Sequence, residues 1–237
     1  MLFRSNNPAG VEYPSELLQA FFDLARARNI ALIVDETYRD FDSRTGAPHA
    51  LFANSDWGQT LIHLYSFSKA FRLTGHRIGA LIASPARLAA CEKFLDTMTI
   101  CPNQLGQRAA LFGLQNLGDW LAGERLEILN RRVAIETGMA ALPGWDLLGA
   151  GAYFAYLRHP HDMDADMLAQ RLVQEAGVLM LPGTMFAPTR PEGGDGRAER
   201  QMRIAFANVD HGGITRLFER LAAFSTHHPL VSRAQGS

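Results

Sequence analysis

Apolar residues run along the chain in short blocks separated by turn-forming residues, and the spacing inside each block differs from one block to the next. Leu2-Phe3-Arg4 reads as the end of an apolar strand that passes directly into the turn sequence Asn6-Asn7-Pro8-Ala9-Gly10. From Pro14 to Arg28 the apolar positions Leu17, Leu18, Phe21, Phe22, Leu24 and Ala25 fall at helical spacing, with Pro14 or Ser15 as the start signal. Ile30 to Val34 is a continuous apolar run ending at Asp35, the pattern of a strand covered on both faces. Leu61 to Tyr65, ending at Ser66, and Ile78 to Ala83, after a glycine-containing loop, are two more such runs. Strands alternating with a helix predict an α/β layered fold in which polar groups collect at strand ends.

Between Asn103 and Leu142 the pattern becomes a long amphipathic helical stretch interrupted at Gly113, Gly118 and Gly123, and it reads as the connection to a second region. Beyond Pro143-Gly144 the runs Tyr153 to Leu157, Val178 to Leu181 and Met202 to Phe206 predict strands, and Asp164 to Glu175 predicts a helix. That is a smaller α+β domain. Thr189 to Arg200, rich in glycine, proline and charge, reads as a mobile surface loop, and the last residues as a frayed tail. The expected domains are therefore 1–125, 126–228 and a tail at 229–237.

Composition narrows the function classes. Of 237 residues 47% are hydrophobic and 20% charged, an ordinary globular balance. The net charge of -1 gives no global field to draw the chain to nucleic acid or an anionic membrane, and a small metabolite suits it better. No apolar run reaches the roughly 18 to 20 residues that span a bilayer. Leu2-Phe3-Arg4-Ser5 does not resemble an export leader, so the cytoplasm is the expected location. Cys91 and Cys101 are too few for a disulfide framework and read as thiols packed like small apolar groups. His159-Pro160-His161 lacks further ligands at useful spacing, so no metal is expected, and His76 reads as a packing or solvent-facing histidine.

Four segments place polar residues where a buried strand should end: Asn7-Pro8-Ala9-Gly10, Asp35-Glu36-Thr37-Tyr38, Ser66-Phe67-Ser68-Lys69 and Gly75-His76-Arg77-Ile78-Gly79. In a parallel sheet such groups converge on one crevice. A lysine amine beside small hydroxyl residues is a candidate Schiff-base nucleophile, and an arginine with two serine hydroxyls is a phosphate cradle. An aspartate facing a heterocyclic nitrogen keeps that nitrogen protonated, so that the ring withdraws electrons from a carbanion. Tyrosine and asparagine side chains both donate to a phenolate oxygen. Together these demands describe pyridoxal phosphate.

In order and spacing the segments resemble the signature of the class I/II, fold-type I aminotransferases, and the likeness runs from Asn6 to about Asn208. The resemblance implies an α/β fold: a partial large domain with a mixed, mostly parallel sheet and flanking helices, and a smaller α+β C-terminal domain. It implies that Lys69 carries pyridoxal 5'-phosphate as a Schiff base and shuttles the proton between the substrate α-carbon and the cofactor. Asp35 is then the partner of the pyridinium nitrogen, and Tyr38 and Asn7 bond the phenolic oxygen. Ser66 and Arg77 hold the phosphate, with Ser68 divided between that role and stabilising the turn. Gln201 to Asn208 is similar to the strand carrying the substrate-carboxylate arginine, which makes Arg203 that group, with Asn7 also on the substrate side; Arg197 and Arg200 lie near as competitors.

The resemblance further implies transamination between an α-amino acid and a 2-oxo acid, without nucleic acid or membrane partners, and homodimers as the family's usual assembly. Against the family pattern, the chain opens within what should be the middle of the large domain. The substrate-cupping segment, the phosphate-binding helix start and the ring-stacking aromatic have no counterpart here. The sequence is accordingly expected to be a fragment, cut short or with a misplaced start, or to be completed by another polypeptide, with apolar faces and sheet edges left uncovered. Rival readings keep the cofactor but change the reaction to that of a β-lyase, decarboxylase or cyclopropane-carboxylate synthase, or make the chain the effector domain of an aminotransferase-like transcription regulator, or an inactive remnant.

Overall fold

The computed structural model of the chain describes residues 1–228 and 230, so the expected tail at 229–237 lies outside the described residues apart from Leu230. The chain divides into two compact units, Met1–Ser5 with Glu12–Leu126 and Asn6–Val11 with Glu127–Ser237. Residues 6–11, expected with the first region, thus cluster with the second, so the division is not a single cut in the sequence.

In the first unit β1 (Leu2–Phe3), β2 (Leu32–Asp35) and β3 (Leu61–Ser66) are parallel neighbours, and β4 (Gly79–Ile82) closes the sheet antiparallel to β3. Helix α1 (Ser15–Ala27) begins after an extended Pro14 and turns Leu18, Phe22 and Ala25 inward. Phe22 and Ala25 meet Leu32, Val34, Leu51 and Leu61 in one core, with Trp57 of the short α2 (Trp57–Thr60) packed against it. Each large side chain buried there contributes about 1.5 to 3 kcal/mol relative to exposure. On β2 only Leu32 and Val34 are buried while Ile33 and Asp35 are half-buried, so the strand is more one-sided than its continuous apolar run predicts. A second cluster gathers Phe67, from the one-turn helix α3 (Phe67–Ala70), with Ile78 and Ala110.

The sequence pattern predicts no element over 85–98, yet α4 (Pro85–Met98) forms there behind Ser84, with proline in its first turn. It buries none of its residues, although Leu88, Cys91, Leu95 and Met98 fall at helical spacing along it. The expected long helical stretch is two helices, α5 (Gln104–Asn116) and α6 (Gly118–Ala140), broken only at Leu117, so that Gly113 and Gly123 lie inside helices. Gly113 has a packing reason: a Cβ there would come within 2.8 Å of the Phe71 ring. Phe94 and Met98 are each 64% exposed, Ile100 77% and Leu105 78%, so this unit presents uncovered apolar surface, as the sequence led us to expect.

The second unit is a four-stranded antiparallel sheet in the order β5 (Asp146–Gly151), β6 (Phe154–Arg158), β8 (Gln201–Ala205), β7 (Leu181–Pro182). It packs with α7 (Ala165–Arg171), a π-turn at Leu172–Ala176 and α8 (His211–His227), which buries Ile214, Leu221 and Phe224. The strand expected over 178–181 shrinks to two residues ending in Pro182, which lacks an N–H for the ladder. Thr189 to Arg200, expected as a mobile surface loop, holds two 3-10 turns, Arg190–Glu192 and Ala198–Arg200. The first carries a capping box between Thr189 and Glu192. Neither thiol is a core group, since Cys91 is half-buried and Cys101 exposed. Among the described residues no helix is long and apolar enough to cross a membrane, and no cluster of His, Cys, Asp or Glu could hold a metal ion.

Candidate functional site

The ladder register assembles the first unit's site. Asp35 ends β2 opposite Leu64 of β3, and Ser66 ends β3 opposite Gly79 of β4. Asp35, the turn carrying Ser66, Ser68 and Lys69, and the approach to β4 carrying Arg77 therefore share one edge of the sheet, with neighbouring strands about 4.8 Å apart. The Asp35 carboxylate is oriented by its own turn, because Oδ1 accepts from the Thr37 N–H at 2.9 Å and the Thr37 hydroxyl at 2.7 Å. Tyr38 follows at once, and Lys69 Nζ lies 5.9 Å from the centre of its ring.

Ser66 caps α3, its Oγ accepting from the Ser68 N–H at 3.3 Å, and this starts the turn that presents Lys69. Ser68 is buried, and its carbonyl accepts from the Thr74 hydroxyl at 3.1 Å. Arg77 is exposed with left-handed backbone (φ 50), and its Nη1 donates to the Thr74 carbonyl at 2.9 Å. Gly79 tolerates no side chain here, since a Cβ would lie 2.8 Å from the Tyr65 carbonyl oxygen. His76 is exposed, in keeping with its solvent-facing reading.

Asn7 and Arg203 belong to the second unit and meet there. Arg203, on β8 between β6 and β7, holds its guanidinium 4.6 Å from the Phe154 ring centre and 4.8 Å from that of Phe186, and Nη1 donates to Asn7 Oδ1 at 2.7 Å. The accepting end of the Asn7 amide is thus engaged by an arginine. Asn7 is delivered by a tight turn in which the Gly10 N–H donates to the Asn6 carbonyl at 2.7 Å. Gly10 has φ +67, and a Cβ there would stand 2.5 Å from the Phe154 carbonyl oxygen. The competing arginines have other duties: Arg200 donates to the Met163 and His159 carbonyls, and Arg197 pairs with Asp195.

The sequence reading passes over a buried ionic network behind Asp35. Glu36 is 1% exposed; its Oε2 meets His63 Nε2 at 2.9 Å, His49 Nε2 at 3.5 Å and Arg39 Nη1 at 3.6 Å, and its Oε1 lies 3.7 Å from Arg4 Nε. Arg4, equally buried, pairs with Asp42. Burial alone would raise the Glu36 pKa, but the hydrogen bond with His63 and the nearby His49 and Arg39 hold it down to about 2. A signal existed in His63, a polar residue inside an apolar strand run, which demands a buried partner.

Comparison with known proteins bears on this arrangement. The family profile described as aminotransferase class I and II matches residues 4–221. Alanine aminotransferase of Mycobacterium tuberculosis is 32% identical over 206 residues, a match covering 81% of this chain and 47% of that protein. Aspartate aminotransferase of Sulfolobus acidocaldarius is 23% identical over 229 residues, covering 92% and 55%. The chain thus spans about half the length of these relatives, 47% and 55%. Among solved structures, Thermus thermophilus aspartate aminotransferase with maleate superposes at a TM-score of 0.80 with 26% identity, over 94% of this chain and 55% of that one. The aromatic aminotransferase of Pyrococcus horikoshii shares the fold at 0.82 and 22% identity, over 95% and 59%.

Proposed function

Because the chain belongs to the aminotransferase class I and II family, we propose that it holds pyridoxal phosphate on Lys69 and serves cytoplasmic transamination between an α-amino acid and a 2-oxo acid. The carrying observation is the shared sheet edge, where one amine, one carboxylate, one guanidinium and two serine hydroxyls come from segments that the register brings side by side. The chemistry of this donor set fits the group: the anion at Asp35 suits a protonated ring nitrogen, the Lys69 amine a carbonyl carbon, and Arg77 with Ser66 and Ser68 a phosphate.

When bound, the cofactor would supply an electron sink for negative charge at the substrate α-carbon. Asp35, prealigned by Thr37, keeps the ring nitrogen protonated. Tyr38, next along the same turn, donates to the phenolic oxygen. With its amine free, Lys69 would be the acid-base group that takes a proton from the substrate α-carbon and delivers it to the cofactor. In the second unit Arg203, steadied by Asn7 and two aromatic faces, offers a two-pronged fork for a carboxylate. Dicarboxylate, alanine-like and aromatic substrates all fit such a fork, which reads only the shared α-carboxylate.

The test is to add pyridoxal phosphate to the chain, follow visible absorbance, reduce with borohydride and locate the modified peptide. The reading expects a fixed adduct on Lys69, lost in Lys69→Ala, and amino transfer that requires an added oxo acid. An adduct on Lys93, the only other lysine, or turnover independent of any oxo acid, would refute it.

A further inference from the structure

We infer that Glu36 and His63 are positioning residues: a buried carboxylate and imidazole that fix the sheet edge on which Asp35 and Lys69 work. The inference rests on the cofactor reading above. Glu36 extends the β2 ladder by one residue, its N–H donating to the Leu64 carbonyl at 2.9 Å. Successive side chains in an extended segment leave on opposite faces, so Asp35 and Glu36 diverge. From the face opposite Asp35, Glu36 reaches sideways to His63, which stands on β3 opposite Val34. The 2.9 Å bond therefore ties β2 to β3 independently of their backbone pairing.

The other partners of the same carboxylate arise from the segments that carry the site. Arg4 follows β1, and its N–H donates to the Asp35 carbonyl at 3.1 Å. Arg39 adjoins Tyr38, and its N–H returns to the Glu36 carbonyl at 3.1 Å. One carboxylate thus fastens the ends of three parallel strands and the turn bearing Tyr38. A well-packed apolar pair stabilises an interior as well as a buried ion pair does, so stability alone does not call for this chemistry. What the hydrogen-bonded pair adds is direction: its bond is made in one register only, the register that sets Asp35 beside the β3 end leading to Lys69.

The distinguishing experiment compares the parent chain, Glu36→Gln, and the double variant Glu36→Leu with His63→Leu, each titrated with pyridoxal phosphate. Cofactor affinity and the pH midpoint of the visible absorbance are read beside urea unfolding. The apolar double variant restores packing but not direction. We expect it to fold with affinity down about tenfold, the size of loss seen when an outer partner of a functional group is removed. Glu36→Gln, which deletes a buried anion behind the site, should lower the pH midpoint by about half a unit. A folded double variant with parental affinity and midpoint overturns the inference and leaves the cofactor reading standing. A parent chain that forms no adduct overturns both. If the double variant does not fold, the Glu36→Gln midpoint decides, and an unmoved midpoint counts against the inference.

Discussion

Acid should weaken the first unit chiefly through one carboxylate. In the folded chain Glu36 is held at about 2 against an ordinary value of 4.5: burial opposes ionisation, and the His63 bond with the neighbouring His49 and Arg39 outweighs it. A folded pKa below the unfolded one means that the unfolded chain binds the extra proton. The stabilisation is therefore complete above about pH 4.5 and drains away as pH falls toward about 2. At about 1.36 kcal/mol per unit, the difference between 4.5 and 2 is worth about 3 kcal/mol. That is a large fraction of the roughly 5 to 15 kcal/mol that holds a domain together. The assay is urea unfolding of the parent chain and Glu36→Gln across this pH window. Asp42, whose pKa is also lowered, against its burial, by bonds to Arg44 and the charge of Arg4, remains in both proteins. The parent's advantage should be largest near neutrality and shrink by about 3 kcal/mol on acidification. An advantage that stays constant with pH would refute the account of Glu36 as a buried, bonded anion.

Three further outcomes follow from the site geometry. Asp35→Asn keeps an oxygen for Thr37 but loses the charge, so the urea midpoint should barely move while kcat falls about a hundredfold, read by steady-state transamination. Arg203→Lys should raise KM for amino acid and oxo acid alike, because a single ammonium replaces the fork, while unfolding in the second unit shifts little. Gly10→Ala forces a side chain onto a backbone at φ +67 with a carbonyl oxygen 2.5 Å away, and thermal unfolding should register a loss of about 1 to 3 kcal/mol.

Much of the first unit was legible in the linear sequence. Helix α1 and strands β2, β3 and β4 lie within a residue or two of their predicted runs, since periodicity is written by contacts between near neighbours. Asp35, Ser66 and Lys69 stood out only together, in order and spacing, since a helix cap or a solvated amine explains each alone. Two elements went unread: α4, whose helically spaced Leu88, Cys91, Leu95 and Met98 lie on a helix that buries none of its residues, and β5, Asp-Leu-Leu-Gly-Ala-Gly, which has no alternation to betray it.

The sequence by itself determined the inventory: which residues could ionise, which runs would be buried, and that an amine, a carboxylate and a guanidinium would sit at strand ends. Only the folded chain decided the pairings, such as His63 with Glu36 across 27 residues and Arg203 with Asn7 across 196. Spacing along a strand or helix is fixed by bonds between near neighbours. The choice of a distant partner is fixed by which surfaces exclude water together, and no window of sequence contains that information.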